Sequence, residues 1–120
     1  MANQIVWVDI PVKDLERAIR FYSAVLGAPV KKQEFPGMAI GILPHEDGEV
    51  GRCLFKREGE EPAGKGPLLY LNANGRLEQA MAAVEANGGK IIEPKSAIGA
   101  YGYRAVIQDS EGNRMALHSE

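Results

Sequence analysis

The chain has 120 residues, 45% hydrophobic and 25% charged, the balance of one ordinary globular domain spanning 1–120 rather than of a disordered or membrane class. A net charge of -2 and a sequence pI near 5.7 leave no concentrated Lys/Arg face for a phosphate backbone, so no nucleic-acid partner is expected. Cys53 is the only cysteine, which excludes an internal disulfide and Cys-based zinc motifs. No apolar run approaches the ~20 residues of a membrane helix and no leader is read at Met1-Ala2-Asn3-Gln4, so a cytoplasmic protein with no membrane partner is expected.

Ile5 to Val12 is an apolar run bounded by Pro11 and a polar turn, and it reads as a strand. Asp14 then stands where a helix N-cap belongs. Leu15, Ala18, Ile19, Tyr22, Val25 and Leu26 follow at the spacing of one helix face, and Gly27 closes the helix. Phe21 and Tyr22 are adjacent, so at most one is expected to face the core. Strands are predicted at 29–34, 37–43 and 50–56, separated by Phe35-Pro36-Gly37 and the polar turn at His45-Glu46-Asp47-Gly48. Arg57 to Gly66 carries charge, Gly and Pro without an apolar period and reads as a mobile loop between halves.

The second half repeats the order. Leu68 to Leu71 is a strand. Leu77, Ala80, Met81, Val84 and Ala86 lie mostly on one face of a helix that ends at Gly88-Gly89. Lys90 to Glu93 is a strand, and Tyr103 to Gln108 and Arg114 to His118 form a hairpin around Asp109-Ser110-Glu111-Gly112-Asn113. Leu15 aligns with Leu77, Ala18 with Ala80, Ile19 with Met81, Gly27 with Gly89 and Val30 with Ile92, at the constant spacing that separates 15 from 77. A β-α-β-β-β unit cannot bury its own sheet alone, so a second copy has to cover it. The modules are placed at about 1–58 and 66–120.

Three segments carry a family resemblance. Val6-Trp7-Val8-Asp9-Ile10-Pro11-Val12-Lys13-Asp14-Leu15, with Ala18, Phe21, Tyr22 and Val25-Leu26-Gly27, resembles the opening of glyoxalase-type proteins. Val84-Glu85-Ala86-Asn87-Gly88-Gly89-Lys90 resembles the end of their second-module helix, and Asp109-Ser110-Glu111-Gly112-Asn113-Arg114 the hairpin before their last strand. The chain thus resembles the vicinal-oxygen-chelate superfamily of glyoxalases, bleomycin-resistance proteins and dioxygenases. The resemblance implies an α+β fold in which two tandem βαβββ modules form curved mixed sheets that enclose a cup, commonly shared in a homodimer. In metal-dependent members, four inward His, Glu or Gln side chains hold a divalent cation that acts as a Lewis acid on neighbouring substrate oxygens.

Carried over one at a time, the first of those positions falls on Trp7, whose indole nitrogen only donates. The second falls within Arg52, Cys53 or Leu54, the third on Leu68 or Leu69, and the fourth on Ala116. None is His, Glu or Gln, so no metal and no other cofactor is expected, and the cup is read as largely apolar.

Asp9 and His118 each lie two residues beyond such a position and therefore on the same face as Trp7 and Ala116. They are the candidate catalytic pair, as base and carboxylate or as ligands of a displaced metal; the alternative is a backbone cap at Asp9 and a solvated His118. Cys53 is either a thiol activated by Arg52 and Lys56 or, with Arg52 aimed at the other face, a buried structural cysteine. Tyr101 and Tyr103 stack on a ligand at the rim or pack within a hairpin. No phosphate-binding or dinucleotide fingerprint is present.

The function expected first is binding of a small, partly apolar or aromatic molecule by Trp7, Asp9, Leu69, Tyr101, Tyr103, Ala116 and His118, without metal. A metal-dependent lyase, isomerase or dioxygenase with a rearranged Asp9/His118 site stands second. An interaction or regulatory module whose cup is filled by its own side chains stands third.

Overall fold

The computed structural model describes residues 3–120; Met1 and Ala2, where the stretch read for a leader begins, lie outside the described residues. The first module runs β1 (Trp7–Pro11), α1 (Leu15–Leu26), β2 (Lys31–Phe35), β3 (Met38–Ile42) and β4 (Gly51–Phe55). The second runs β5 (Leu69–Asn72), α2 (Leu77–Ala86), β6 (Lys90–Ala97), a 3-10 turn at Gly99–Tyr101, β7 (Tyr103–Gln108) and β8 (Arg114–Ser119). The sheets are ordered β1-β4-β3-β2 and β5-β8-β7-β6, and in each the first strand lies parallel to the last. The fold is therefore the predicted α+β duplication. Among the described residues, no helix is long and apolar enough to cross a membrane.

Local chemistry sets the ends of α1. Asp14 is extended (φ -136, ψ 105) and accepts from the Arg17 N–H at 3.1 Å, while Gly27 turns left-handed at φ 69. The expectation for Phe21 and Tyr22 is corrected, because both are fully buried. The first module's sheet covers α1 from one side, and the second module covers it from another. Phe21 lies so close to Gly89 that a Cβ there would stand 2.7 Å from its ring, and the Tyr22 hydroxyl donates to Asp109 at 2.5 Å.

That second cover is polar at its edge. The buried Glu111 carboxylate accepts from the N–H groups of Lys13 and Asp14 at 2.9 and 2.8 Å and from Arg17 at 2.7 and 2.9 Å. A carboxylate at a helix N-terminus answers both its orphan N–H groups and its dipole. At the other end, Arg76 donates to the Val25 carbonyl at 2.7 Å. Both ends of α1 are thus held by the second module. The segment between the halves is also tied to it: the Ala63 N–H donates to Asn113 Oδ1 at 3.1 Å, and the Arg114 N–H to the Ala63 carbonyl at 3.2 Å.

Each sheet has one core face. Val8, Ile10 and Leu54 turn to the core in the first; Leu69, Leu71, Ala105, Ile107, Met115 and Leu117 do so in the second. The alignment of Val30 with Ile92 does not survive as an equivalence of environment, since Val30 is buried and Ile92 is 46% exposed. The pairing of β6 with β7 shifts register between Ile91 and Glu93, and such a bulge breaks the period-two alternation.

Candidate functional site

Strand register fixes which side chains share the faces turned away from the core. Trp7, Asp9 and Pro11 of β1 stand opposite Gly51, Cys53 and Phe55 of β4. Of Arg52, Cys53 and Leu54, only Cys53 shares a face with Trp7 and Asp9; Arg52 pairs with Val8, and its guanidinium donates to the Pro44 carbonyl at 2.9 Å.

The open face of the first module is closed on itself. Asp9 Oδ1 accepts from the Trp7 indole N–H at 2.8 Å and from the Cys53 thiol at 3.2 Å. Burial, reinforced by that carboxylate, pushes the Cys53 thiol up to about 11, so it is protonated at neutral pH. The Trp7 indole lies over Gly51, where an added Cβ would come within 2.3 Å of it, and meets the His45 ring edge-on at 6.0 Å between centroids.

The open face of the second module carries Tyr70 and Asn72 of β5 opposite Ala116 and His118 of β8. His118 Nε2 lies 2.5 Å from the Tyr101 carbonyl oxygen, and its ring stands 6.4 Å from that of Tyr70. Arg104, the neighbour of His118 across β7, donates to the Tyr70 hydroxyl at 2.5 Å. Tyr70, Ile98, Tyr101 and His118 line a hollow of about 480 Å³.

Two of the candidate residues lie elsewhere. Leu69 packs against the core, and its neighbour Tyr70 is the side chain presented outward. Tyr103 shares the face of the buried Ala105 and Ile107, and Lys95 stands 4.8 Å above its ring while pairing with Glu78 of α2 at 2.6 Å. Tyr101 is 78% exposed at the hollow, so the two tyrosines diverge instead of forming a clamp. Among the described residues no hydrogen bond joins Asp9 to His118; each is engaged within its own module. Neither is a backbone cap or a freely solvated ring.

Sequence reasoning missed Tyr70, Ile98 and Arg104. A signal for Tyr70 was present: Leu69 and Leu71 flank it and Asn72 follows, so a strand buried on one face puts Tyr70 and Asn72 on the other. The two parallel ladders close on matching bonds, from the Val12 N–H to the Phe55 carbonyl and from the Ala73 N–H to the His118 carbonyl. Matching these bonds makes Cys53 the counterpart of Ala116 and Trp7 the counterpart of Leu68. Of those four side chains only the Cys53 thiol has an electron pair for a metal. Among the described residues no three of His, Cys, Asp and Glu are grouped to hold one.

Comparison with known proteins agrees with this architecture. A protein from Didymella fabae described as containing a glyoxylase-like domain is 30% identical over 124 residues, covering 96% of this chain and 92% of that protein. A glyoxalase/bleomycin resistance protein from Albidiferax ferrireducens T118 superposes with a TM-score of 0.77 at 25% identity, over 98% of this chain and all of the other. Glyoxalase I from Zea mays superposes with a TM-score of 0.72 at 25% identity, over 94% of this chain and 44% of that larger one. The family model of the Glyoxalase/Bleomycin resistance protein/Dioxygenase superfamily matches residues 4–117, and the chain, with its paired βαβββ modules, belongs to that superfamily.

Proposed function

We propose that the protein binds a small, partly apolar or aromatic molecule in its cup without the divalent metal used by other members of the superfamily. One observation carries this reading: the four positions to which the resemblance assigns the metal, taken in the register of the two parallel ladders, hold Trp7, Cys53, Leu68 and Ala116. A hard divalent cation takes oxygen and imidazole donors, and a single protonated thiol does not supply them. The donor set therefore does not fit the family's metal. The aromatic hollow in the second module supports the binding half of the proposal, since small-molecule sites are concave, mostly apolar and supplied with a few polar groups.

The rearranged Asp9/His118 site gains no support, because both Asp9 contacts and the His118 contact lie within separate modules. Elemental analysis after chelation and redialysis against Ni, Co, Mn, Fe and Zn tests the proposal. Substoichiometric metal is expected in every case. One tightly held ion per chain, lost in Asp9→Ala and His118→Ala, would overturn it in favour of the metal-dependent reading.

A further inference from the structure

The hollow beside His118 has a defined polarity. A carbonyl oxygen can only accept, so the 2.5 Å contact of His118 Nε2 with the Tyr101 carbonyl places the ring proton on Nε2. In the neutral ring, Nδ1 is then an acceptor with no donor among the described residues. The Tyr70 hydroxyl oxygen accepts from Arg104 at 2.5 Å, which leaves the phenol proton to be donated elsewhere. The site therefore has one acceptor and one donor to offer, on His118 and Tyr70, two of the four residues that line the hollow with Ile98 and Tyr101. Its cation, Arg104, already faces Glu93 at 3.7 Å, so an anionic ligand gains little from it.

A single hydroxyl on a flat ring answers both polar groups, because it donates and accepts through one oxygen. We infer that the hollow takes a neutral hydroxyaromatic molecule of the phenol class. Its ring lies among Tyr70, Ile98 and Tyr101, and its hydroxyl bridges from the Tyr70 donor to His118 Nδ1. The inference rests on the ligand-binding reading above and narrows it to one module and one chemistry. It uses none of the Trp7, Asp9 and Cys53 group.

Calorimetric titration with 2-naphthol and 2-methoxynaphthalene tests it, since the ether keeps the ring and the acceptor and removes the donor. The naphthol is expected to bind roughly tenfold more tightly, the worth of one hydrogen bond to a part-buried acceptor. Backbone amide shifts should gather at Ile98 to Tyr103 and at His118. His118→Leu should erase the preference, while Tyr101→Ala weakens both ligands alike. Equal binding of the two ligands to the native protein, or a preference that survives His118→Leu, overturns the inference and leaves the binding function standing. Failure of both ligands to bind at millimolar concentration removes the two together.

Discussion

β1 and β5 are each the edge strand of a four-stranded sheet, each lies parallel to the last strand of its module, and each ladder ends on an equivalent backbone bond. The side chains hung on that shared frame serve opposite ends. On the first sheet, Asp9, Cys53 and the Trp7 indole satisfy one another, and the indole lies across the bare backbone of Gly51. On the second, the counterparts of Asp9, Cys53 and Phe55 are Tyr70, the fully buried Ala116 and His118, and of these Tyr70 and His118 border an open hollow. Duplication has kept the hydrogen-bond ladder, which every residue serves through its backbone, and released the outward side chains, which the core does not constrain.

The most damaging way to break the comparison is to cut the joint that makes the modules one core. Glu111→Ala removes a buried acceptor from Lys13, Asp14 and Arg17 and leaves two N–H groups at the start of α1 without it. A loss of about 3 kcal/mol is expected, because a buried carboxylate that holds two backbone N–H groups and the half-exposed Arg17 is removed, and denaturant unfolding measures it. Burial pushes the Glu111 carboxyl up, but Arg17 and the N–H donors more than reverse this and hold it at about 2. Its folded value lies below its unfolded one, so its stabilisation is complete above the ordinary Glu range and fades as pH falls toward 2. The Glu111→Gln protein should therefore lose less stability than the native one between pH 5 and about 2. An unchanged acid limb would remove Glu111 from this role.

Tyr22→Phe cuts the same joint more gently. Asp109 keeps its bonds from Glu111 and Asn113 and loses only the hydroxyl, so about 2 kcal/mol is expected. The double variant with Glu111→Ala should cost less than the two singles together, because Asp109 and Glu111 belong to one hairpin.

These joints explain how far the sequence could be read. The helices, the caps of α1 and the order of elements along the chain follow from local rules, which is why Asp14, Gly27 and the paired helix faces were legible. The burial of both Phe21 and Tyr22 was not, because it depends on the second module reaching over α1. The outward face of β5 was misassigned for a simpler reason. Ala73 stands four residues before Leu77, whereas Val12, its counterpart, stands three before Leu15. Counting back from the helix therefore slips the strand by one, and one residue of slip exchanges its faces. The slip puts Leu69 where Leu68 stands and hides Tyr70, the next residue on that outward face. Tyr101 and Tyr103 diverge because the 3-10 turn and Gly102 separate them from a common period.

The closed state of the first module can be sharpened at Gly51. In Gly51→Ala the new methyl would meet the indole at 2.3 Å, so Trp7 must swing away, losing its contact with His45 and its bond to Asp9. The cost is expected to be about 1 kcal/mol, since a ring already 44% exposed can move outward, with a shift in Trp7 fluorescence as the clear readout. The hydroxyaromatic affinity of the second module should not change. Loss of that affinity would mean that the two open faces form one site.

The smallest expected effect leaves stability almost untouched and concerns a rate. Cys53 is held protonated first by burial and then by its bond to Asp9, with its pKa at about 11. The thiolate is the reacting species, so alkylation of the folded protein by iodoacetamide should keep rising through pH 10. An ordinary thiol levels off above its pKa of about 8.5. Asp9→Asn removes the neighbouring charge and leaves the burial, so the curve should move to lower pH without reaching that of a free thiol. The Trp7 indole can still donate to the amide oxygen of Asn, which keeps the indole in place and separates this variant from Gly51→Ala. If Asp9→Asn leaves the curve where it was, burial alone holds the thiol, and the closed triad of the first module reduces to a tryptophan packed over a glycine.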